Sequence, residues 1–263
     1  MEVPTLAASP PFCSAVDSIH MLPTTEIQTL NERFQRARTE EILGWAWDRF
    51  GTRAAIGTSF QGAGLVMIHL ARENGYEFPA FTIDTGLLFP ETLDLKTRLE
   101  DFFGLQIESL VPDLTVQAQE EAQGPELWKR EPDLCCTIRK VLPLQGKLSE
   151  LDCWITGLRR QQSDSRSGIG IVEVYIFDES TGREIVKLNP MANWTRDAVW
   201  DYLREKKIPY NPLHDRGYRS IGCMPCTVAA GDGKDERAGR WTGFSKVECG
   251  IHTFMSKKVD FQI

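Results

Sequence analysis

The chain has 263 residues, 41% of them hydrophobic and 25% charged, which suits a globular protein built as one large α/β domain or two small ones. Its formal net charge of −7 argues against a general nucleic-acid binder, because such proteins carry a basic excess. No stretch is apolar for the length of a membrane span; Pro4, Pro10, Pro11 and Pro23 interrupt an opening segment whose first basic residue is Arg33, so no secretory signal is read there.

A cytoplasmic location is expected. There, seven cysteines point to metal ligands, reactive thiols or core residues rather than to a disulfide framework. Residues 1–23 read as a disordered leader, 24–240 as one α/β domain, and 241–263 as a C-terminal tail with little core pattern.

The first periodic stretch is helical, with Ile27, Leu30, Phe34 and Ala37 at three- and four-residue spacing. Thr39 is placed to cap a second helix that carries Ile42, Leu43, Ala46, Trp47 and Phe50 on one face and stops at Gly51. A short buried strand over 53–58 then enters the small-residue turn Ser59-Phe60-Gln61-Gly62-Ala63-Gly64 and an apolar helix. Strand, turn and helix in that order aim backbone N–H groups at an anion. A second strand over 80–83 ends in Asp84-Thr85-Gly86, a helix starts near Pro90, and a third strand covers 106–110. Cys135-Cys136 opens a helical stretch to Leu148. A strand over 153–156 runs into the arginine-rich loop 157–163, and the strands 172–177 and 184–188 form a hairpin. Thr195 is an N-cap, with Trp194 and Val199 set as a hydrophobic staple. Residues 227–240 read as a surface loop. Strands alternating with helices imply a mainly parallel sheet with right-handed crossovers, and ligands on such sheets bind beyond the strands' carboxyl ends, where Ser59 and Asp84 fall.

Two cysteine pairs stand out: Cys135-Cys136, and Cys223-Met224-Pro225-Cys226. Four paired thiols suit zinc or an iron–sulfur cluster, and spacing leaves the two close to even; buried free thiols are the bland alternative. Cys249, in Glu248-Cys249-Gly250-Ile251-His252, differs. A neighbouring imidazolium or guanidinium would raise its thiolate fraction, although a terminal cysteine taken alone is most often incidental. Lys140, Arg159, Arg160, Arg166, Arg237 and Arg240 lie beside turns and strand ends, and arginine forks match phosphate and sulfate geometry. Any one of them alone is more often a solvated surface charge. Cys153 reads as a core residue and Cys13 as incidental.

Together these motifs resemble the assimilatory sulfonucleotide reductases. The resemblance is carried by Cys135-Cys136 with Arg139-Lys140-Val141-Leu142-Pro143-Leu144, by the loop 157–163, and by the run from Ile208 through His214 to Cys226-Thr227. Arg237, Gly239-Arg240-Trp241 and Glu248-Cys249-Gly250-Ile251-His252 complete it, over residues 50–253. It implies a Rossmann-like adenine-nucleotide α-hydrolase fold with a mobile C-terminal segment, and the iron–sulfur branch of the family that reduces adenylyl sulfate (APS). A 4Fe-4S cluster on Cys135, Cys136, Cys223 and Cys226 is implied, with Cys249 as the catalytic thiol that forms an S-sulfocysteine. The substrate contacts implied are Ser59, Gly62, Asp84, Thr85, Gly86, Lys140, Arg159, Arg160, Arg237, Arg240 and His252, with Arg166 as an addition. Gln61, Gly64, Leu87-Leu88-Phe89 and Thr242 depart from the residues common in that family.

Thioredoxin is the implied reductant; no thioredoxin-like segment occurs in the sequence, so a separate protein is expected to supply it. No nucleic acid or membrane partner is expected, and homo-oligomerisation is left open. The alternatives are the same chemistry on 3′-phosphoadenylyl sulfate (PAPS), an ATP-using adenylating enzyme of the same fold, and a non-enzymatic metal module on nucleic acid. The adenylating enzyme would carry a loop like Ser-Gly-Gly-x-Asp-Ser, which this chain lacks, and the acidic charge counts against the metal module.

Overall fold

The computed structural model describes residues 22–178, 180–230, 236–237, 239–246 and 248–252. Two helices come first, α1 (Thr24–Phe34) and α2 (Thr39–Phe50), followed by β1 (Ala54–Gly57), α3 (Gly62–Glu73), β2 (Ala80–Ile83), α4 (Pro90–Phe103) and β3 (Ile107–Leu110). The helices α5 (Val116–Gln123), α6 (Leu127–Arg130) and α7 (Pro132–Cys136) lead through a π-helical turn, Thr137–Val141, into α8 (Leu142–Leu148). β4 (Cys153–Thr156), the hairpin β5 (Val172–Asp178) and β6 (Arg183–Leu188), and α9 (Arg196–Glu205) complete the regular elements.

The six strands lie in the order β3-β2-β1-β4-β6-β5, and every pair is parallel except β5 with β6. The expected mixed α/β architecture with a mainly parallel sheet is what forms. Side chains alternate across the strands, so the sheet buries two faces. Ile56, Cys153, Ile155, Val186 and Leu188 pack against α1–α4 and α9 in the larger core. Ala55, Phe81, Trp154 and Ile185 face α8 through Leu144 and Leu148 in the smaller one. Cys153 is a core residue, as its pattern suggested. Cys13 and the leader up to residue 21 lie outside the described residues.

Two local expectations resolve differently. Thr39 does not cap α2 but begins it, because its hydroxyl accepts the indole N–H of Trp194 at 2.9 Å and donates to the Pro190 carbonyl at 3.4 Å. Trp194 thus ties α2 to the loop before α9, and its ring meets Tyr202 edge-on. The cysteine pair closes α7 instead of opening a regular helix, and the wide turn 137–141 follows it. By contrast, Thr195 caps α9 as expected, accepting from the Ala198 N–H at 3.1 Å.

Candidate active site

The carboxyl ends of β1, β2 and β4 open into a cavity of about 220 Å³. Its floor is the turn 57–64. Thr58 Oγ1 accepts from the Phe60 N–H at 3.0 Å, which fixes Phe60 at φ 57° and starts α3 at Gly62. A Cβ on Gly62 would lie 2.7 Å from Val199 Cγ1, and one on Gly157 would lie 3.0 Å from the Gly64 nitrogen. The absence of these side chains lets α3, α9 and the end of β4 close around the cavity, with the amino end of α3 turned towards it. Such an end favours negative charge.

The cavity walls are cationic. Arg159 is 4% exposed; its Nη2 donates to Glu236 at 2.5 Å, while Nε and Nη1 have no hydrogen-bond partner among the described residues. The Nε atoms of Arg219 and Arg240 are likewise buried without a partner, and both residues line the cavity. The Arg240 guanidinium lies over Gly222, where any side chain would collide with it, and 4.5 Å above the Trp241 ring. Arg237 stacks on the same ring at 5.3 Å. Buried guanidinium N–H groups without acceptors demand an anion or water.

Cys249 is half-buried in this cavity. Burial pushes its thiol up, but Lys140, the Ile251 backbone N–H, Arg237 and Arg240 outweigh burial and hold the pKa below the ordinary thiol value of 9.0. The residues after it are docked. Tyr175 donates to the Ile251 carbonyl at 3.1 Å, and His252 stacks on Trp154 with ring centroids 5.1 Å apart and planes 12° apart. His252 is not the imidazolium considered from sequence. Burial first, then Lys187, Arg166 and Arg237, hold its pKa well below 6.5, so it is neutral.

A second, smaller cavity lies alongside, lined by Cys135, Cys136, Cys223 and Cys226 together with Trp128, Arg139 and Lys140. The two pairs, 87 residues apart at their nearest, are brought together by α7 and by a turn that joins Met224 N–H to the Leu87 carbonyl at 2.7 Å. Burial raises the thiols of Cys135, to about 11, and of Cys136, to about 12, and it raises Cys226 as well. Among the described residues no three His, Cys, Asp or Glu side chains are grouped to hold a single metal ion. The sulfurs line a space instead of meeting at a point. Trp128 Nε1, in the same wall, is a buried donor without an acceptor among the described residues. A thiolate or sulfide-bearing centre would give that donor a partner, so the residues fit a polynuclear sulfur-ligated group. Lys140 lines both cavities; burial alone would lower its pKa, but Cys223, Cys136 and Cys249 raise it, so it stays charged.

Of the residues named from sequence, Ser59, Gly62, Lys140, Arg159, Arg166, Arg237, Arg240, Cys249 and His252 line the larger cavity. Arg160 does not. Its guanidinium is turned away, to the Ile169 carbonyl at 3.0 Å, Gln35 at 3.1 Å and Asn193. Asp84, Thr85 and Gly86 are not among the walls either. Asp84 accepts from the Gly86 N–H at 2.9 Å, closing a tight turn, and Thr85 Oγ1 lies 3.3 Å from Cys223 Sγ. That turn therefore backs the cysteine cavity. Trp154, Tyr175, Arg219 and Glu236 were missed. Only the alternation of β4, which sends Trp154 to the face opposite Ile155, was a usable signal in the sequence.

Fold and site together define an α/β protein whose cationic cavity, suited to an anionic ligand, contains a thiol held below its ordinary pKa. A model of the phosphoadenosine phosphosulfate reductase domain matches residues 53–229. A curated relative from Salinibacter ruber, named adenosine 5′-phosphosulfate reductase, is 41% identical over 88% of this chain and 90% of its own. A relative from Gloeobacter violaceus, named phosphoadenosine 5′-phosphosulfate reductase, is also 41% identical, over 87% and 94%. The crystal structure of phosphoadenylyl-sulfate reductase from Candida auris, in a phosphate complex, superposes with a TM-score of 0.69 at 30% identity, covering 79% of this chain and 98% of that one. The chain belongs to the phosphoadenosine phosphosulfate reductase family, and it is an oxidoreductase acting on a sulfur group.

Proposed function

We propose that this enzyme reduces adenylyl sulfate to sulfite and AMP, with Cys249 as nucleophile, in the assimilation of sulfate. The observation that carries the reading is the placement of Cys249 in the nucleotide cavity, against Lys140, Arg237 and Arg240. The Cys249 thiolate attacks the sulfuryl sulfur, the bond from that sulfur to the phosphate oxygen breaks, and AMP leaves with the electron pair. The product is an S-sulfocysteine on the enzyme. A thiolate of thioredoxin, a separate dithiol protein, then attacks Cys249 Sγ, and sulfite departs with the electron pair. The second thiol of thioredoxin resolves the mixed disulfide, freeing Cys249 and leaving thioredoxin oxidised by two electrons.

The anionic oxygens of the substrate repel an incoming thiolate. Lys140, Arg240 and the partnerless nitrogens of Arg159 offset that repulsion and receive charge on the leaving phosphate. Ser59, Gly62 and the amino end of α3 shape the nucleotide floor. His252, neutral and stacked, packs the segment against Trp154. Cys135, Cys136, Cys223 and Cys226 would hold a 4Fe-4S cluster; when bound, it supplies a fixed inorganic core that joins α7 to the turn 223–226. The two displacements take no electrons from it. The enzyme acts away from membranes in this reading, and no helix among the described residues is long and apolar enough to cross one.

Adenylyl sulfate is favoured over its 3′-phosphorylated form by the names of the relatives from Salinibacter ruber and Oceanobacillus iheyensis, at 41% and 43% identity. The Gloeobacter violaceus relative supports the second reading, the same chemistry on PAPS. Turnover of both nucleotides by one anaerobically purified sample decides between them. Cys249→Ser is expected to lower sulfite release by at least about 10³-fold, as loss of a covalent nucleophile does; sulfite release at the wild-type rate would remove Cys249 from the mechanism.

A further inference from the structure

The cavity arginines fall into two sets. Arg159, Arg219 and Arg240 keep buried nitrogens without partners among the described residues. Arg166 does not: its Nε and Nη2 donate to the two carboxylate oxygens of Glu248 at 2.9 and 2.8 Å, and its Nη1 donates to Gln162 at 2.6 Å. Arg237 reaches the same carboxylate at 3.3 Å, and Ser165 Oγ donates to it at 3.4 Å. The Arg166 and Glu248 side chains are each 10% exposed. Glu248 is the residue before Cys249, so the position of its carboxylate fixes the nucleophile to within one peptide unit.

We propose that Glu248 is a positioning residue, and that its two-pronged pair with Arg166 seats Cys249 in the cavity while the other arginines are left for the substrate. This rests on Cys249 being the nucleophile. The charged anchor precedes the thiol, and two uncharged anchors follow it, the Tyr175 bond to Ile251 and the His252 stack on Trp154. Of the three, Glu248 is the one whose loss strands charge, because removing one member of a buried ion pair leaves its partner uncompensated. The pairing also accounts for Arg166 lining the cavity with its fork turned to the protein's own carboxylate.

The test is a double-mutant cycle with Glu248→Gln, Arg166→Gln and the double variant. S-sulfocysteine formation from adenylyl sulfate without reductant is followed by intact mass, and equilibrium binding of adenylyl sulfate is measured in a Cys249→Ser background. Each single change is expected to slow adduct formation about tenfold, the scale of a lost two-pronged charged hydrogen bond. The double variant should be no slower than either single one, and the dissociation constant should move less than about threefold, since the substrate uses other donors. Unslowed Glu248→Gln enzyme sinks the proposal, as does additive slowing to about a hundredfold. Tenfold tighter binding by Glu248→Gln would make Glu248 a competitor of the substrate instead, and tenfold weaker binding by Arg166→Gln would make Arg166 a substrate contact. Should Arg166→Gln fail to fold, Glu248→Gln alone decides through its rate and binding. Wild-type enzyme that forms no adduct refutes the nucleophile reading itself, which separates the two failures.

Discussion

Burial ordinarily makes a thiol a poor nucleophile, because it disfavours the thiolate. At Cys249 the opposing cations prevail, and Lys140 is the foremost of them. A thiol is charged above its pKa, so adduct formation should rise with pH and level off once Cys249 is ionised, below the usual thiol range. Lys140→Met removes the largest lowering influence and should move that rise to higher pH by about one unit; pH–rate profiles of adduct formation check it, and an unmoved profile takes Lys140 out of this role. His252 has the opposite dependence. Its docked pKa is depressed, so the undocked ring binds a proton that the docked ring excludes. Docking is therefore at full strength above 6.5 and weakens as pH falls below it. The Trp154 indole N–H shift, followed by NMR against pH, should lose its ring-current offset over that range. Residue types and order in the sequence were enough to pick out Cys249, Lys140 and the arginines as a set. They could not say which way each guanidinium turns. Arg159 and Arg160 are neighbours in sequence, yet one faces the cavity and the other is held by Ile169 and Gln35.

Elements hold the site open by what their small residues omit. Gly57, at the end of β1, has no room for a methyl group: a Cβ there would sit 2.5 Å from Trp154 Nε1 and 2.9 Å from Phe81 Cζ. Gly57→Ala should cost about 1–3 kcal/mol, the range for overpacking a core, and should disturb the Trp154 surface on which His252 lies; thermal unfolding reads the first and a higher substrate KM the second. Strands and helices with a clean period were legible from residues alone, as β1 to β4, the hairpin and the Thr195 cap attest. α5 was not, because Val116–Gln123 carries mostly Gln, Glu and Ala with no apolar stripe; it is held by Thr115 at its start and by buried Gln119, which accepts from Arg139 at 3.2 Å. The wide turn after Cys136 was hidden for a related reason. Nothing in Thr137–Val141 marks a break, as it has no Gly or Pro, and what widens the turn is the tertiary demand on the cysteines and Arg139.

At the scale of the molecule, an acidic protein surrounds a basic cavity. The net charge of −7 argues against a general nucleic-acid binder, whereas the cavity gathers Lys140, Arg159, Arg219 and Arg240, positive groups suited to a small anion, and pairs Arg166 with Glu248. The cysteine pairs bring two distant parts of the chain together beside that cavity. Anaerobically purified protein is expected to be brown, with about four irons and four acid-labile sulfides per chain. Cys223→Ser should lose both; a colourless protein with one zinc would overturn the cluster. The π turn has its own consequence. It sets the angular offset between the thiols of α7 and the ammonium four positions on. Deleting one residue from 137–139 would restore an ordinary helical pitch and change the angle between the thiols and Lys140, since one residue fewer then separates them. Because Lys140 lines both cavities, such a change moves the positive charge that stands between the four thiols and the larger cavity.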